Sequence, residues 1–295
     1  LVTFILENTP EYEFLRNVLL CSLPLFLVGI LDDLSINIKP FVRILFMLPT
    51  PILLFFYVDL RVESVSIDLF DYLLDFEIFS LLFLAFSLIG IVNAFNIIDG
   101  FNGLLLSYCL TLMLSLLIGL STSSTMDWMN YMVAVFFAVF AIFIINFPFG
   151  KIFLGDGGAY LLGLLIPVGL IKYTFDNGLS PWFVLALLIY PVTEVIVSAI
   201  RKVFFRKMSA LEPDGLHFHM LIYKKISNRV GFRRIRLRHF IVTFFIFMIN
   251  FPFMIVANYL KNETGPLIFL CFWFITTYLL SYFILLPKYS FRKNK

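Results

Sequence analysis

Carboxylates, amides and histidines gather in four places along this sequence, three at the ends of apolar runs and one within a basic stretch. The first is Gly29-Ile30-Leu31-Asp32-Asp33. Two adjacent carboxylates repel unless a cation or a shared proton offsets them, which suits the pair to metal binding or proton abstraction. A solvated helix end is the plainer reading, since Asp is common there. The second runs from Asn93 to Gly103, with Asn93, Asn96, Asp99 and Asn102 at every third position. On a continuing helix they share one polar, cavity-lining face, and Gly100 and Gly103 allow a sharp turn or a close ligand approach. An Asn/Gly turn is the alternative. In the third, Asn146 to Gly158, Asp156 stands between glycines, accessible to a Mg²⁺ ion that keeps its waters and takes one or two protein oxygens. An ordinary turn fits as well. The fourth, Pro213 to Met220, carries His217 and His219. At i and i+2 they cannot share a helix face, but an extended loop points both at one phosphate or metal. Zinc is the second reading, without a nearby cysteine to support it.

The elements that must position these groups are membrane helices. Of 295 residues, 61% are hydrophobic and 14% charged, against roughly 25% charged in a soluble domain. Nine apolar runs, near 14–31, 41–57, 78–95, 103–120, 129–148, 158–174, 181–200, 239–260 and 267–286, suit an all-α bundle of transmembrane helices. Cys21, Cys109 and Cys271 fall inside the runs and read as small buried hydrophobes. His239 reads as an interfacial residue.

Charge placement orients the bundle. The stretch 201–238 holds eleven Lys and Arg residues, and Lys39, Arg43, Lys151 and the tail add more on the same side. The opposite side carries Glu7, Glu11 and Glu13, then Asp59, Glu63, Asp68, Asp71, Asp75 and Glu77 against Arg61. By the positive-inside rule the N-terminus lies outside and the tail in the cytoplasm. The basic stretch is then a solvated topology signal, a contact for substrate phosphates, or both; it also suits anionic head groups. It implies no nucleic-acid partner. All four clusters, with Glu212 and Asp214, fall on the cytoplasmic side and make one site. Glu194 stands alone inside a span and reads as a satisfied intramembrane carboxylate.

Taken in order, these motifs resemble the polyprenyl-phosphate N-acetylhexosamine-1-phosphate transferases, the glycosyltransferase family 4 enzymes that start peptidoglycan, teichoic acid, O-antigen and enterobacterial common antigen lipids. Leu31-Asp32-Asp33 resembles the family's paired-aspartate motif, and Asn93 to Leu104 its Asn-x-x-Asn-x-x-Asp-Gly-x-Asp/Asn-Gly-Leu motif. Phe153 to Gly158 resembles its Gly-Asp motif and His217-Phe218-His219 its histidine motif. The resemblance implies a single membrane-embedded domain over residues 1–295, using Mg²⁺ or Mn²⁺, that moves N-acetylhexosamine 1-phosphate from a UDP-sugar to undecaprenyl phosphate in a bacterial inner membrane. It implies Asp156 as metal ligand with Asn96 or Asp99 beside it as ligand or uridine contact, and Asp32 and Asp33 at the lipid phosphate. Asp99 joins the catalytic set, while Lys39, Asn93 and Asn102 are expected at substrate. Asn146 and Phe153 would line the nucleotide pocket, with His217 and His219 at the diphosphate and a homodimer as a further expectation. By the same resemblance the stretch 201–238 helps select the sugar.

The sequence departs from the pattern in three places. Ile36 and Asn37 stand where a third aspartate is usual, Asn102 where many members have Asp, and Met220 where another His closes the motif. These bear on sugar specificity and on Asn102. The chain opens on Leu1, and members usually have about ten or eleven spans, so two N-terminal spans are expected to be missing. A secondary transporter is the competing function, although transporter sites lie at the midplane between repeats, and no repeat is evident.

Overall fold

The computed structural model describes residues 10–34, 38–118, 126–209, 215–230 and 235–286, and every regular element among them is helical. The first six helices are α1 (Pro10–Cys21), α2 (Leu23–Asp33), α3 (Pro40–Met47), α4 (Pro49–Tyr57), α5 (Asp68–Leu74) and α6 (Glu77–Ile98). They are followed by α7 (Leu104–Ile118), α8 (Met126–Asn146), α9 (Gly155–Asp176), α10 (Pro181–Leu187) and α11 (Ile189–Ile200). The described chain ends with α12 (Phe218–Val230), α13 (Ile235–Tyr259) and α14 (Thr264–Leu285).

Five stretches are long and apolar enough to cross a membrane: Pro40–Tyr57, α6, α9, α13 and α14. Counting α1–α2 and α10–α11 as one bent span each brings the number to seven. Leu104–Ile118 and Asn130–Asn146 are apolar but shorter. In place of nine spans, the apolar runs of this multi-pass membrane protein give five helices long and apolar enough to cross, two bent helix pairs and two shorter apolar helices.

Local chemistry explains the bends. Between α1 and α2, which meet at 49°, Ser22 Oγ donates to the Leu19 carbonyl at 2.7 Å, and Pro24 has no N–H for the preceding turn. At the 75° break between α10 and α11, Pro191 leaves the Leu187 carbonyl without its helical donor. The Tyr108 hydroxyl on α7 donates to that carbonyl at 2.7 Å, so it is not orphaned in an apolar interior.

Helix α9 is the axis of the bundle. Its apolar window is 78% buried, against 28% for α14, and it packs chiefly against α2 and α6. The crossing with α2 needs Gly29, because a Cβ there would lie 2.4 Å from Gly157 Cα. That approach sets the C-terminal end of α2, with its two aspartates, against the first turn of α9. Cys21, Cys109 and Cys271 are free and buried.

Among its described residues the basic stretch is partly helical and only partly solvated, with Lys207, Lys224, Lys225 and Arg236 exposed. Residues Arg201–Arg206 prolong α11 as a π-helical turn, α12 follows, and α13 begins at Ile235. Arg201, Lys202 and Arg238 are buried, because their surroundings supply acceptors: Arg201 reaches the Leu216 carbonyl and the hydroxyls of Ser198 and Tyr282. Arg238 donates to Ser227 Oγ at 2.8 Å. Glu212, Asp214, Ile36, Asn37 and the basic tail lie outside the described residues.

Candidate active site

A helix N-terminus exposes backbone N–H groups with no partner inside the helix. At α9 two are met from across the bundle: Asp33 Oδ1 accepts from Asp156 N at 2.7 Å and Oδ2 from Gly157 N at 3.1 Å. The seat is shaped for this carboxylate, since Gly155 has φ +72° and a Cβ there would lie 2.6 Å from Asp33 Oδ2. Asn96, in the last turn of α6, donates Nδ2 to Asp156 Oδ1 at 2.8 Å. Asp99 follows as the C-cap of α6. Its carboxyl is pushed up to about 7, first by burial and then by the charges of Asp156 and Asp33. Asp33, Asp99 and Asp156 therefore feel one another across the junction of α2, α6 and α9, where a cation would relieve the repulsion.

Asp32 points elsewhere. Arg43 grips it with Nη2 3.1 Å from Oδ1 and Nε 2.9 Å from Oδ2. The Tyr160 hydroxyl donates to Oδ2 and accepts from Arg43 Nη1, each at 3.2 Å. The paired aspartates are thus split between two tasks, Asp32 in a guanidinium-phenol knot and Asp33 on α9. Sequence reasoning placed Arg43 only as an orienting charge and overlooked Tyr160. The signal for Tyr160 was its position one turn beyond Asp156, on the same face of α9.

The histidines are enclosed rather than displayed on an open loop. His217 Nδ1 lies 3.0 Å from Glu194 Oε1, and His219, in the first turn of α12, is wholly buried. Their rings are nearly parallel, with centroids 5.6 Å apart. His219 packs on the second motif: a Cβ at Gly100 would lie 2.8 Å from its Nε2, and its ring meets Phe101 edge to face. Burial lowers its pKa to about 4, opposed by Glu194 and reinforced by His217, so it stays a neutral imidazole near neutral pH. Glu194 is fully satisfied, as its sequence position suggested, by His217, Tyr278 and Phe218 N.

The remaining residues are placed unevenly. The helical face expected for the second motif holds for Asn93 and Asn96 and fails beyond, because α6 ends at Ile98. Asn102 falls in the following turn, its carbonyl accepting from Thr243 Oγ1 at 3.2 Å and its amide against Gly150. Asn93 donates to the Ile89 carbonyl of its own helix. Asn146 donates to the Ile152 carbonyl at 2.6 Å and so shapes the turn before α9. Phe153, beside that turn, is 80% exposed, and Lys39 is exposed at the start of α3. The His239 ring packs at an angle against Phe101 and edge-on to Tyr223.

Among the described residues no three His, Cys, Asp or Glu side chains could enclose a metal by themselves. The donor set is instead oxygen-rich, with repelling carboxylates and a short supply of donors. It fits a hard divalent ion that takes one or two protein oxygens and completes its shell with water and ligand phosphates.

Residues 15–174 match the model of glycosyl transferase family 4. Among similar proteins, an undecaprenyl-phosphate alpha-N-acetylglucosaminyl 1-phosphate transferase of Thermotoga maritima is 30% identical over 212 residues, 71% of this chain and 62% of the relative. A probable undecaprenyl-phosphate N-acetylglucosaminyl 1-phosphate transferase of Bacillus subtilis is 28% identical over 258 residues, 81% and 64% of the two chains. A phospho-N-acetylmuramoyl-pentapeptide-transferase of Streptococcus thermophilus is 23% identical over 169 residues, 55% of this chain and 50% of the relative. The chain spans less than two thirds of the length of these relatives. With more than half of its residues in the matched segment, and all three carboxylates that meet at α9 within it, the chain belongs to glycosyl transferase family 4.

Proposed function

We propose that this protein transfers N-acetylhexosamine 1-phosphate from a UDP-sugar to a polyprenyl phosphate, undecaprenyl phosphate in a bacterial inner membrane, releasing UMP on the cytoplasmic face. The observation that carries the reading is the meeting of Asp33, Asp99 and Asp156 at the N-terminus of α9, at the end of the bundle where Lys39, Arg43 and the basic stretch lie. A soluble sugar nucleotide and a lipid phosphate that cannot leave the bilayer meet most readily at such an end.

In this reaction an oxygen of the lipid phosphate attacks the sugar-bearing phosphorus. The bond from that phosphorus to the bridging oxygen breaks, and the electron pair leaves with UMP. Catalysis rests on positioning and on stabilising the negative charge spread over the transferred group. Asp156 and Asp99 are the residues we assign to Mg²⁺, which when bound supplies charge neutralisation to the diphosphate. Asn96 orients Asp156 and Asp33 holds the first turn of α9. Arg43 and Tyr160 hold Asp32 fixed beside the path of the lipid phosphate. His217 and His219, packed on the second motif, border the diphosphate side, and exposed Phe153 offers a ring to stack on uracil. The transporter reading gains nothing from this arrangement, since the carboxylates sit at helix ends.

The test is transfer of radiolabelled sugar phosphate from UDP-N-acetylhexosamines to undecaprenyl phosphate, with Mg²⁺, Mn²⁺ or EDTA. Labelled lipid and UMP formed only with a divalent ion are expected. Absence of product with every UDP-N-acetylhexosamine, from this chain and from one extended to the length of its relatives, would overturn the reading.

A further inference from the structure

Buried charge outside the cluster of three carboxylates calls for its own account. Glu194 and Arg201, seven residues apart on α11 and its π-helical extension, are both buried, and both turn toward one short segment, Leu216-His217-Phe218. Glu194 Oε1 lies 3.0 Å from His217 Nδ1 and accepts from Phe218 N at 3.0 Å. Arg201 Nη1 donates to the Leu216 carbonyl at 3.0 Å. From α14, Tyr278 donates to Glu194 Oε2 at 2.9 Å and Tyr282 to the Leu216 carbonyl at 2.8 Å. The His217 carbonyl accepts from Leu221 N as α12 begins. The carbonyl of the peptide before His217, both polar groups of the peptide after it, and the ring itself are thereby fixed.

We infer that Glu194, Arg201, Tyr278 and Tyr282 are positioning residues that set the ring of His217 for the phosphosugar transfer proposed above, an inference that rests on that reading. A carboxylate oxygen only accepts, so Glu194 fixes the ring proton on Nδ1 and turns Nε2 to the opposite side. Holding two helices together in a membrane protein needs only close packing of small and apolar side chains. Burying two charges for that purpose is costly and gains little over apolar packing, whereas convergence on the three residues around one histidine gives the ionic groups a task. Positions 278 and 282 lie one turn apart on α14, so the last helix is a working part of the site. All four residues lie outside the matched segment 15–174.

A double-mutant cycle on the full chain tests this, using the labelled-transfer assay with thermal melting in detergent. His217→Ala should lower kcat about 100-fold. Glu194→Gln, which keeps an acceptor and removes the charge, should lower kcat about 10-fold, leaving the KM for UDP-sugar within about twofold and the melting temperature close to wild type. In the His217→Ala background Glu194→Gln should have no further effect, the sign that it acts through the histidine. Tyr278→Phe, which leaves the fold its ring, should lose activity in the same direction and vanish in the same background. Losses that multiply with His217→Ala, or that follow a fall in melting temperature, would overturn the clamp, as would unchanged kcat in both single variants. Those outcomes need an active wild type; an inactive one counts against the transferase reading itself.

Discussion

Two regions of the bundle gather charge, one at an open helix end and one buried, and they treat it differently. Around the start of α9, three carboxylates face one another with two backbone N–H groups and one amide for relief, and Asp99 is left with a pKa of about 7. Around the end of α11, Glu194 has three donors and Arg201 three acceptors, all within the protein. Charge that the fold leaves under-compensated is charge that a ligand is to complete, while charge that it satisfies internally is spent on geometry. The first region therefore reads as the place of chemistry and the second as its support.

Asp156→Ala should break this contrast most severely. Transfer should fall about 10³-fold or more, with melting temperature equal to or above wild type in EDTA, because a repelling charge is removed. A fall in metal-free stability would show that Asp156 is held for architecture. Asp99→Asn comes next, with a loss of about 10²-fold and a stability signature. A carboxyl that binds its proton more tightly folded than unfolded makes the fold most stable at low pH, and that stability is lost as pH climbs from about 4 to about 7. Metal-free wild type should thus melt lower at pH 8 than at pH 5, and Asp99→Asn should reduce the difference. Melting curves at the two pH values decide it.

Arg43→Ala should have an intermediate effect, leaving the buried Asp32 carboxylate with only Tyr160. The cost is about 2 kcal/mol, less than for a fully enclosed pair because Arg43 keeps 27% of its side-chain surface. Activity should fall with it, and Arg43→Lys should restore stability better than activity, since the fork is lost. The smallest effect belongs to the opposite end of α9, where Lys172 and Asp176 pair at 2.7 Å with about half of each side chain exposed. Lys172→Ala should change stability by less than about 0.5 kcal/mol and leave transfer unchanged, a reference for the larger effects.

Much of the site was legible in the chain because its residues obey local rules. Asp99 and Asp156 stand beside glycines at helix ends, where polar groups in an apolar sequence need a cause, and Asn96 lies one turn before Asp99. Glu194 stood out as a lone charge in a span. Local rules failed where partners come from distant helices. The three-residue interval placed Asn102 on the face of Asn96, but α6 stops at Ile98 and the interval loses its meaning. The density of Lys and Arg suggested solvation for 201–238, which holds for Lys207, Lys224, Lys225 and Arg236, whereas Arg201 and Arg238 are buried because acceptors on α14 and α12 reach them.

By itself the sequence determined an all-helical membrane chain and the residues that gather at the ends of its helices, because hydropathy and the need to satisfy each polar group act within a few residues. It also held the motifs that mark the family. Only the tertiary structure decided that Asp32 turns to Arg43 while its neighbour Asp33 caps α9, and that the Leu216 carbonyl beside His217 accepts from Tyr282, more than sixty residues away. Those choices depend on which helices cross closely, as α2 and α9 do at Gly29, and packing across the bundle leaves no periodic trace along the chain.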